Sequence, residues 1–312
     1  MSIAIVSYKH QEVNDLAWIF SAPMIVADLD LQRYWVTDVA SQLNQLDRFP
    51  APLLASLGEC KSHFLGAYFE VLFSFAIRQF SSLEVIFEHQ QIMNPNGTTL
   101  GEIDMLVRTP EGYVLQFEIA LKYFLEVEQG QKKEWIGPNK TDSLSKKTHK
   151  ARTKQLAILD TPSGQALLHQ LDIKQKVKPV LLIFGYLFDQ WRSFSMDQGT
   201  ENSQYYEDMD ARSKVYWLNM AQFKATYFDS YVFCELDKAK WVSYKLIQPS
   251  DILAFDEVRL SLEESFKMDV RPKMFFAWER VEQKTLESRD VSENRMIMPE
   301  SPLRVFVVPN GW

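Results

Sequence analysis

LGEIDMLVRTPEGYVLQFEIALKYF, residues 100–124, is the stretch that decides the fold. Apolar and polar residues alternate before and after TPEG at 109–112, and a period of two is typical of half-buried β-strands. The spacing predicts a β-hairpin with its turn at residues 109–112. If Pro110, Glu111 and Gly112 form a three-residue loop, Asp104 lies opposite Glu118 on the neighbouring strand.

The two faces of this hairpin differ in chemistry. One face is apolar and carries Ile103, Met105, Val107, Leu115, Phe117, Ile119, Leu121 and Tyr123. The other carries Glu102, Asp104, Leu106, Gln116, Glu118, Ala120 and Lys122. Directly opposed side chains are about 5 Å apart at Cβ. Two carboxylates at that distance repel each other unless a positive charge lies between them.

The elements around the hairpin predict an α/β core. Residues 62–80 carry an apolar stripe at helical spacing, and residues 83–93 alternate as a strand before the turn NPNG at 94–97. After the hairpin, a helix is expected to begin near Asp142 or Ser143. A buried strand follows at 177–188. The order α-β-β-β-α-β favours a mixed central sheet flanked by helices.

The rest of the chain is expected to extend this core on both sides. Residues 1–57 predict a helical N-terminal cap, and residues 58–190 the α/β core. Residues 191–312 predict an aromatic-rich C-terminal extension packed on the core. The polar stretch 189–213 is interpreted as a long loop, and the stretch near 285–295 as an exposed connection.

Composition excludes several classes of protein. The net charge of −7 leaves only a local basic patch as a site for nucleic acid. Cys60 and Cys234 are far apart and suggest neither a disulfide framework nor a zinc site, so we expect a reducing cytoplasm. The N-terminus lacks the pattern of a signal peptide. The longest apolar run, 180–188, is shorter than the roughly 20 residues that cross a bilayer, so no membrane association is expected.

One segment of the chain is strongly basic. Between Lys132 and Lys154 there are eight basic residues, whereas Glu134 and Asp142 are the only acidic ones. Lys146, Lys147, Lys150, Arg152 and Lys154 fall on the predicted helix. Two interpretations remain open, a solvated helix face and a helix that contacts nucleic-acid phosphates.

Asp104, Glu118 and Lys122 are the candidates for chemistry. Two carboxylates on adjacent strands can hold Mg²⁺ or Mn²⁺, and Mg²⁺ also keeps water ligands and bridges to phosphate. A lysine on the same face could orient water or neutralise charge on the phosphate. An ordinary exposed strand face with a Glu–Lys pair is the alternative. Glu70 in the first core helix is either solvated or a carboxylate directed at the hairpin. The five histidines lack metal-ligand spacing.

The pattern resembles the PD-(D/E)XK nuclease superfamily, which has a restriction-endonuclease-like core. The match runs over residues 62–188. The whole chain is similar to a family of uncharacterised bacterial proteins assigned to that superfamily. The motifs are DLAWIFSAPMI, LGAYFE, GEIDMLV, FEIALKYFL, WIGPNKTDSL, KKTHKARTKQLAIL and RVFVVPNGW.

The resemblance implies a role for each matching residue. Asp104 and Glu118 would be metal ligands, Glu70 a supporting carboxylate and Lys122 the catalytic lysine. Gln155 on the basic helix would be a polar partner of the site.

The position of the lysine departs from the superfamily pattern. That pattern has lysine two residues after the acidic ligand, where this chain has Ala120, and Lys122 lies about 6 to 7 Å further along the strand. Three alternatives follow: Lys122 reaches back along the strand, a helix lysine (Lys146 or Lys147) replaces it, or catalysis has been lost.

Three functional hypotheses follow. The first is a Mg²⁺-dependent nuclease acting on DNA or RNA, with an undetermined oligomeric state. The second is an inactive nuclease-fold module that binds nucleic acid or a protein partner. The third is a scaffold protein in which the acidic face is solvated and the basic helix pairs with it.

Overall fold

The computed structural model describes residues 8–60, 62–129, 132–191, 215–226, 228–243, 247–279 and 302–312. The chain is α/β, with a large mixed sheet flanked by helices. Among the described residues, none of the helices has the length and apolar character needed to cross a membrane.

The α-helices are α1 (Gln11–Ile19), α2 (Val39–Arg48), α3 (Ala51–Gly58), α4 (Leu65–Phe80), α5 (Leu144–Lys150), α6 (Pro162–Gln170), α7 (Met220–Ala225) and α8 (Phe255–Met268). The strands are β1 (Met24–Ala27), β2 (Glu84–Met93), β3 (Thr99–Arg108), β4 (Val114–Gln129), β5 (Lys132–Ile136), β6 (Lys178–Gln190), β7 (Val215–Asn219), β8 (Tyr231–Leu236), β9 (Leu253–Ala254), β10 (Lys273–Glu279) and β11 (Leu303–Val308).

The chain forms two compact units that interleave along the sequence. Unit 1 comprises Met1–Tyr123, Asp142–Tyr186 and Val242–Tyr244. Unit 2 comprises Phe124–Thr141, Leu187–Trp241 and Lys245–Trp312. Strands β4 and β6 contribute residues to both units. Unit 1 therefore joins the expected N-terminal cap to most of the expected core.

The sheet of unit 1 has the strand order β2-β3-β4-β6, with β1 added to β6. Helix α4 packs on one side of it, where the rings of Phe73 and Phe117 are 6.4 Å apart at their centroids. Around Ala120 of β4, the residues Ala151 and Leu156 complete a buried apolar cluster. The segment that follows α5 thus packs on the same strand as α4.

The predicted hairpin is confirmed, register included. The Thr109 N–H donates to the Tyr113 carbonyl across the loop, and Met105 pairs with Phe117. That register sets Asp104 opposite Glu118. The expectation of half-buried strands is wrong, because Leu106, Gln116, Glu118 and Ala120 on the polar face are buried as well. The polar face is buried because α5 and the residues after it pack on it.

The element order predicted for residues 62–188 is confirmed, with β5 and α6 as additional elements. The N-terminal region is mostly helical as expected, but Met24–Ala27 form β1 and pair antiparallel with β6. Ile25 and Val26 pack against the cluster that contains Leu181 and Ile183. Branched apolar side chains fit this half-buried edge position, which explains a strand where a helix was expected.

In unit 2 the strands follow the order β6-β7-β11-β10-β8-β9, and β5 pairs with β4. The β6–β7 and β7–β11 pairs are parallel. The core is rich in aromatic side chains, including Phe223, Phe228, Phe233 and Phe275. The loop expected at 189–213 falls mostly in 192–214, and the connection expected near 285–295 falls in 280–301, both outside the described residues.

Candidate metal and phosphate site

The carboxylate pair lies where the β3–β4 ladder stops. Counted away from the hairpin loop, the last paired residues are Met105 and Phe117. The next residue on each strand is Asp104 on β3 and Glu118 on β4. The N–H of Ile119 donates instead to Asp104 Oδ2 at 2.8 Å. A carboxylate therefore takes the place of a ladder carbonyl, and this bond fixes Asp104 beside Glu118 at the fork between the strands.

Burial makes this pair electrostatically costly. Glu118 is only 3% exposed. Burial raises the pKa of Asp104 to about 7, and the neighbouring charges of Glu118 and Glu70 act in the same direction. The Ile119 N–H and the Lys147 ammonium oppose this rise in pKa without cancelling it. The pair thus carries more negative charge than its protein surroundings compensate.

Lys147 of α5 is the lysine that meets the pair. Its Nζ lies 2.7 Å from Glu118 Oε1, and the Lys147 side chain is 14% exposed. Ser143 caps α5, since its Oγ accepts a hydrogen bond from the Lys146 N–H. The cap fixes where α5 begins, and this start directs Lys147 towards the sheet while Lys146 is exposed.

Lys122, the lysine that the resemblance implied, has a different partner. Its Nζ donates to Asp142 Oδ2 at 2.8 Å, and Asp142 also accepts the Ser143 N–H. Each partner of the Lys122–Asp142 pair is 33% exposed. Lys122 thus holds the residue before the α5 cap, whereas Lys147 contacts Glu118.

Glu70 reaches the same region from α4. It is half-buried, and burial raises the pKa of its carboxyl group. Glu102 and Glu118 raise this pKa further, while His89 and Lys147 lower it. The structure therefore brings Glu70 into the electrostatic environment of the hairpin carboxylates.

The helix after α5 changes its hydrogen-bonding pattern beside the site. Ala151–Gln155 form a π-helical turn, and the Leu156 N–H donates to the Ala151 carbonyl at 2.8 Å. The Gln155 carbonyl accepts from Gln116 Nε2 at 3.0 Å. Gln155 Oε1 is buried without a hydrogen-bond partner in the described part of the chain. Single π turns are frequent at functional sites.

The predicted basic residues divide into two groups. Lys146, Lys150 and Lys154 are exposed. Arg152 instead donates to both carboxylate oxygens of Asp28, at 2.9 and 2.8 Å. This pairing lowers the pKa of Asp28. Lys146, Lys150 and Lys154 are thus exposed, whereas Arg152 is held in an ion pair with Asp28.

Sequence reasoning missed the partners of these residues and one further pair. Asp28 and Asp142 carried no motif, although Asp142 stands before a predicted helix cap. His89 of β2 lies 3.1 Å from Glu102, from Nδ1 to Oε1. No spacing signal marked His89, because its partners are on another strand.

The residues at the fork fit a hard divalent cation. Within the described ranges, no three His, Cys, Asp or Glu side chains are grouped as a metal centre. Mg²⁺ is commonly held by one or two carboxylates, with water and substrate phosphate as its remaining ligands. Asp104 and Glu118 supply such a partial set of oxygen donors.

Comparison with protein families gives one result. A family model described as a domain of unknown function (DUF1853) matches residues 14–308. The chain belongs to this family. The matched range includes the carboxylate pair, Lys147 and the exposed lysines, so the whole site lies within the family's domain. No curated protein and no solved structure matches the chain.

Proposed function

We propose that the protein is a cytoplasmic, Mg²⁺-dependent nuclease of the PD-(D/E)XK type. The observation that carries this proposal is the buried Asp104–Glu118 pair at the strand fork, with Lys147 on Glu118. Burial, and after it the charge of Glu118, raises the pKa of Asp104, and this supports a cation there because a divalent ion stabilises the ionised form of a buried carboxylate pair. Bound Mg²⁺ would polarise the scissile phosphate and activate a water molecule.

The lysine of the proposed site is Lys147 rather than Lys122. Superfamily chemistry needs a positive charge beside the acidic ligand, and Lys147 lies 2.7 Å from Glu118. Its ammonium group is positioned to neutralise charge that develops on the phosphate. Lys146, Lys150 and Lys154 bind the nucleic-acid backbone, since they are exposed on the segment that contributes Lys147.

The test of the carboxylate pair is cleavage of plasmid DNA, single-stranded DNA and RNA with Mg²⁺ or Mn²⁺. Asp104→Asn and Glu118→Gln are expected to reduce cleavage by about 100-fold or more. Glu111→Gln is the matched control, because it removes a fully solvated carboxylate from the loop of the same hairpin. Metal-dependent cleavage that survives both substitutions would disprove the assignment.

The test of the lysine compares Lys147→Met with Lys122→Met. We expect Lys147→Met to lower cleavage by about 100-fold and Lys122→Met by less than about tenfold. Loss of Lys147 also leaves Glu118 buried without its partner, which destabilises a protein by roughly 3–5 kcal/mol. Lys147→Arg keeps the charge and serves as a folding control. If Lys122→Met lowers cleavage more than Lys147→Met does, Lys122 and not Lys147 is the catalytic lysine.

The second candidate function is an inactive module that binds nucleic acid or a protein partner. The hydrogen bond from Lys122 to Asp142 favours this second function. Lys122 lies on the strand that carries the catalytic lysine in the superfamily, and here it contacts Asp142 and not the Asp104–Glu118 pair. Such a module binds nucleic acid without cleaving it, and Asp104→Asn leaves its affinity unchanged. A Mg²⁺ or Mn²⁺ titration of binding and cleavage in one sample distinguishes the two functions.

A further inference from the structure

His89 of β2 lies beside the strand fork that carries Asp104 and Glu118. In the β2–β3 ladder Glu88 pairs with Met105 and Gln90 pairs with Ile103, so His89 is opposite Asp104. Asp104 lies one residue beyond Met105–Phe117, the last pair of the β3–β4 ladder, and accepts the Ile119 N–H beside Glu118. Because β2, β3 and β4 are neighbours in the sheet, His89 lies beside Asp104 at the strand fork.

The backbone of His89 has an unusual conformation for a strand residue. Its φ is +52°, in the left-handed region that side chains with a Cβ rarely adopt. Such a conformation costs on the order of 1–3 kcal/mol and persists where the surrounding structure enforces it. Residues of this kind cluster at functional sites, where the strain fixes the direction of a side chain.

The imidazole of His89 is oriented by a carboxylate and open to solvent. Nδ1 lies 3.1 Å from Glu102 Oε1, and the side chains of His89 and Glu102 are 47% and 41% exposed. A carboxylate on Nδ1 favours the tautomer with hydrogen on that nitrogen, which leaves the Nε2 lone pair to accept a proton. Glu102 of β3 contacts His89, His89 lowers the pKa of Glu70 of α4, and Asp104 is opposite His89 in the continued β2–β3 register.

We propose that His89 is the general base of the phosphodiester hydrolysis, with Glu102 as its positioning residue. This inference rests on the proposed nuclease function. His89 Nε2 takes a proton from the attacking water as the water oxygen forms a bond to phosphorus. The bond from phosphorus to the leaving oxygen breaks, and that oxygen takes a proton from solvent. The proton on the imidazole is then released to solvent, which completes the balance.

His89→Gly is the decisive variant. Glycine adopts φ of +52° without strain, so the variant should fold and show a Tm at or above that of the wild type. We expect kcat to fall by about 100-fold or more, with KM within about threefold of the wild type. Added imidazole should restore part of kcat, because it replaces the deleted base. A purely structural role of His89 would not give this rescue.

Glu102→Gln and the pH profile test the positioning role. Glu102→Gln should lower kcat by roughly tenfold and change the pH profile of kcat/KM, because the His89 imidazole then loses the carboxylate that contacts Nδ1. His169→Gln is the matched control, since His169 is an exposed histidine in the last turn of α6. It should behave as the wild type.

The outcomes separate this inference from the proposed function. If the wild type cleaves, Asp104→Asn does not and His89→Gly retains kcat within about threefold, the inference is overturned and the nuclease function stands. Loss of kcat that imidazole does not restore also overturns it. If the wild type and Asp104→Asn are equally inactive with every substrate, both proposals fall.

Discussion

Asp104 is the residue whose ionisation couples the site to stability. Burial and the charge of Glu118 raise its pKa from 3.8 to about 7. Between these two values the folded state holds a proton that the unfolded chain releases. The stabilisation from this proton is therefore complete below about pH 4 and is lost as the pH rises through 7. Near neutral pH, folding must tolerate a charged carboxylate pair.

We predict that Asp104→Asn flattens this pH dependence. The free energy of unfolding of the variant, relative to that of the wild type, should rise by roughly 2–3 kcal/mol from pH 5 to pH 8, because pH 5 lies about two units below the raised pKa of Asp104. Thermal or urea unfolding at a series of pH values measures this difference. A difference that does not change with pH would show that Asp104 is not the titrating group.

Mg²⁺ should also change the free energy of unfolding, because it binds the charged form of the Asp104–Glu118 pair. At pH 8 a cation that binds only the folded state raises Tm, and the shift grows with the ratio of its concentration to Kd. We expect millimolar Mg²⁺ to raise the Tm of the wild type and of Glu111→Gln, but not that of Asp104→Asn. Equal shifts in all three proteins would indicate binding elsewhere.

At the scale of the elements, β4 and β6 approach closely at one glycine. A Cβ on Gly185 would lie 1.8 Å from the Lys122 carbonyl oxygen, and its φ is +125°. Both the close backbone contact and the left-handed conformation exclude other residues. Because β4 carries Glu118 and Lys122, this contact also fixes the position of the strand that bears the site.

We predict that Gly185→Ala destabilises the protein by more than about 4 kcal/mol or prevents folding. Gly66→Ala is the control, because a Cβ at Gly66 in α4 meets nothing within 4 Å. That substitution should be neutral or stabilising by up to about 1 kcal/mol. Circular dichroism and urea unfolding compare the two, and a folded Gly185→Ala with an unchanged Tm would contradict the predicted contact.

At the scale of the whole molecule, the net negative charge opposes the proposed binding of nucleic acid. With a charge of −7 the protein as a whole repels nucleic acid, so the proposed binding depends on a local basic patch. Lys146, Lys150 and Lys154 are exposed, whereas Arg152 is held by Asp28. The patch is therefore smaller than the count of basic residues in the sequence suggests.

We predict that changing Lys146, Lys150 and Lys154 together to alanine lowers the salt dependence of DNA binding. The slope of log K against log salt should fall by roughly 2 to 3, since each lost phosphate contact removes about 0.9. Fluorescence anisotropy at several salt concentrations measures the slope. Alanine at the exposed Lys174, Lys176 and Lys178 makes the same change in net charge and should leave the slope unchanged.

The sequence by itself determined the hairpin, its register and the order of elements from α4 to β6. These depend on local signals, namely alternation along a strand, turn residues and a helix cap. The sequence also marked Asp104 and Glu118, because the loop length fixes which residues oppose each other.

Only the tertiary structure decided which lysine meets Glu118. Lys122 is close to Glu118 in sequence, yet Asp142 holds it, while Lys147 reaches Glu118 from α5. That choice follows from how α5 packs on β4, a contact between segments that no local pattern specifies. The same reason explains β1, whose pairing with β6 joins residues far apart in the chain, and the pairing of Arg152 with Asp28.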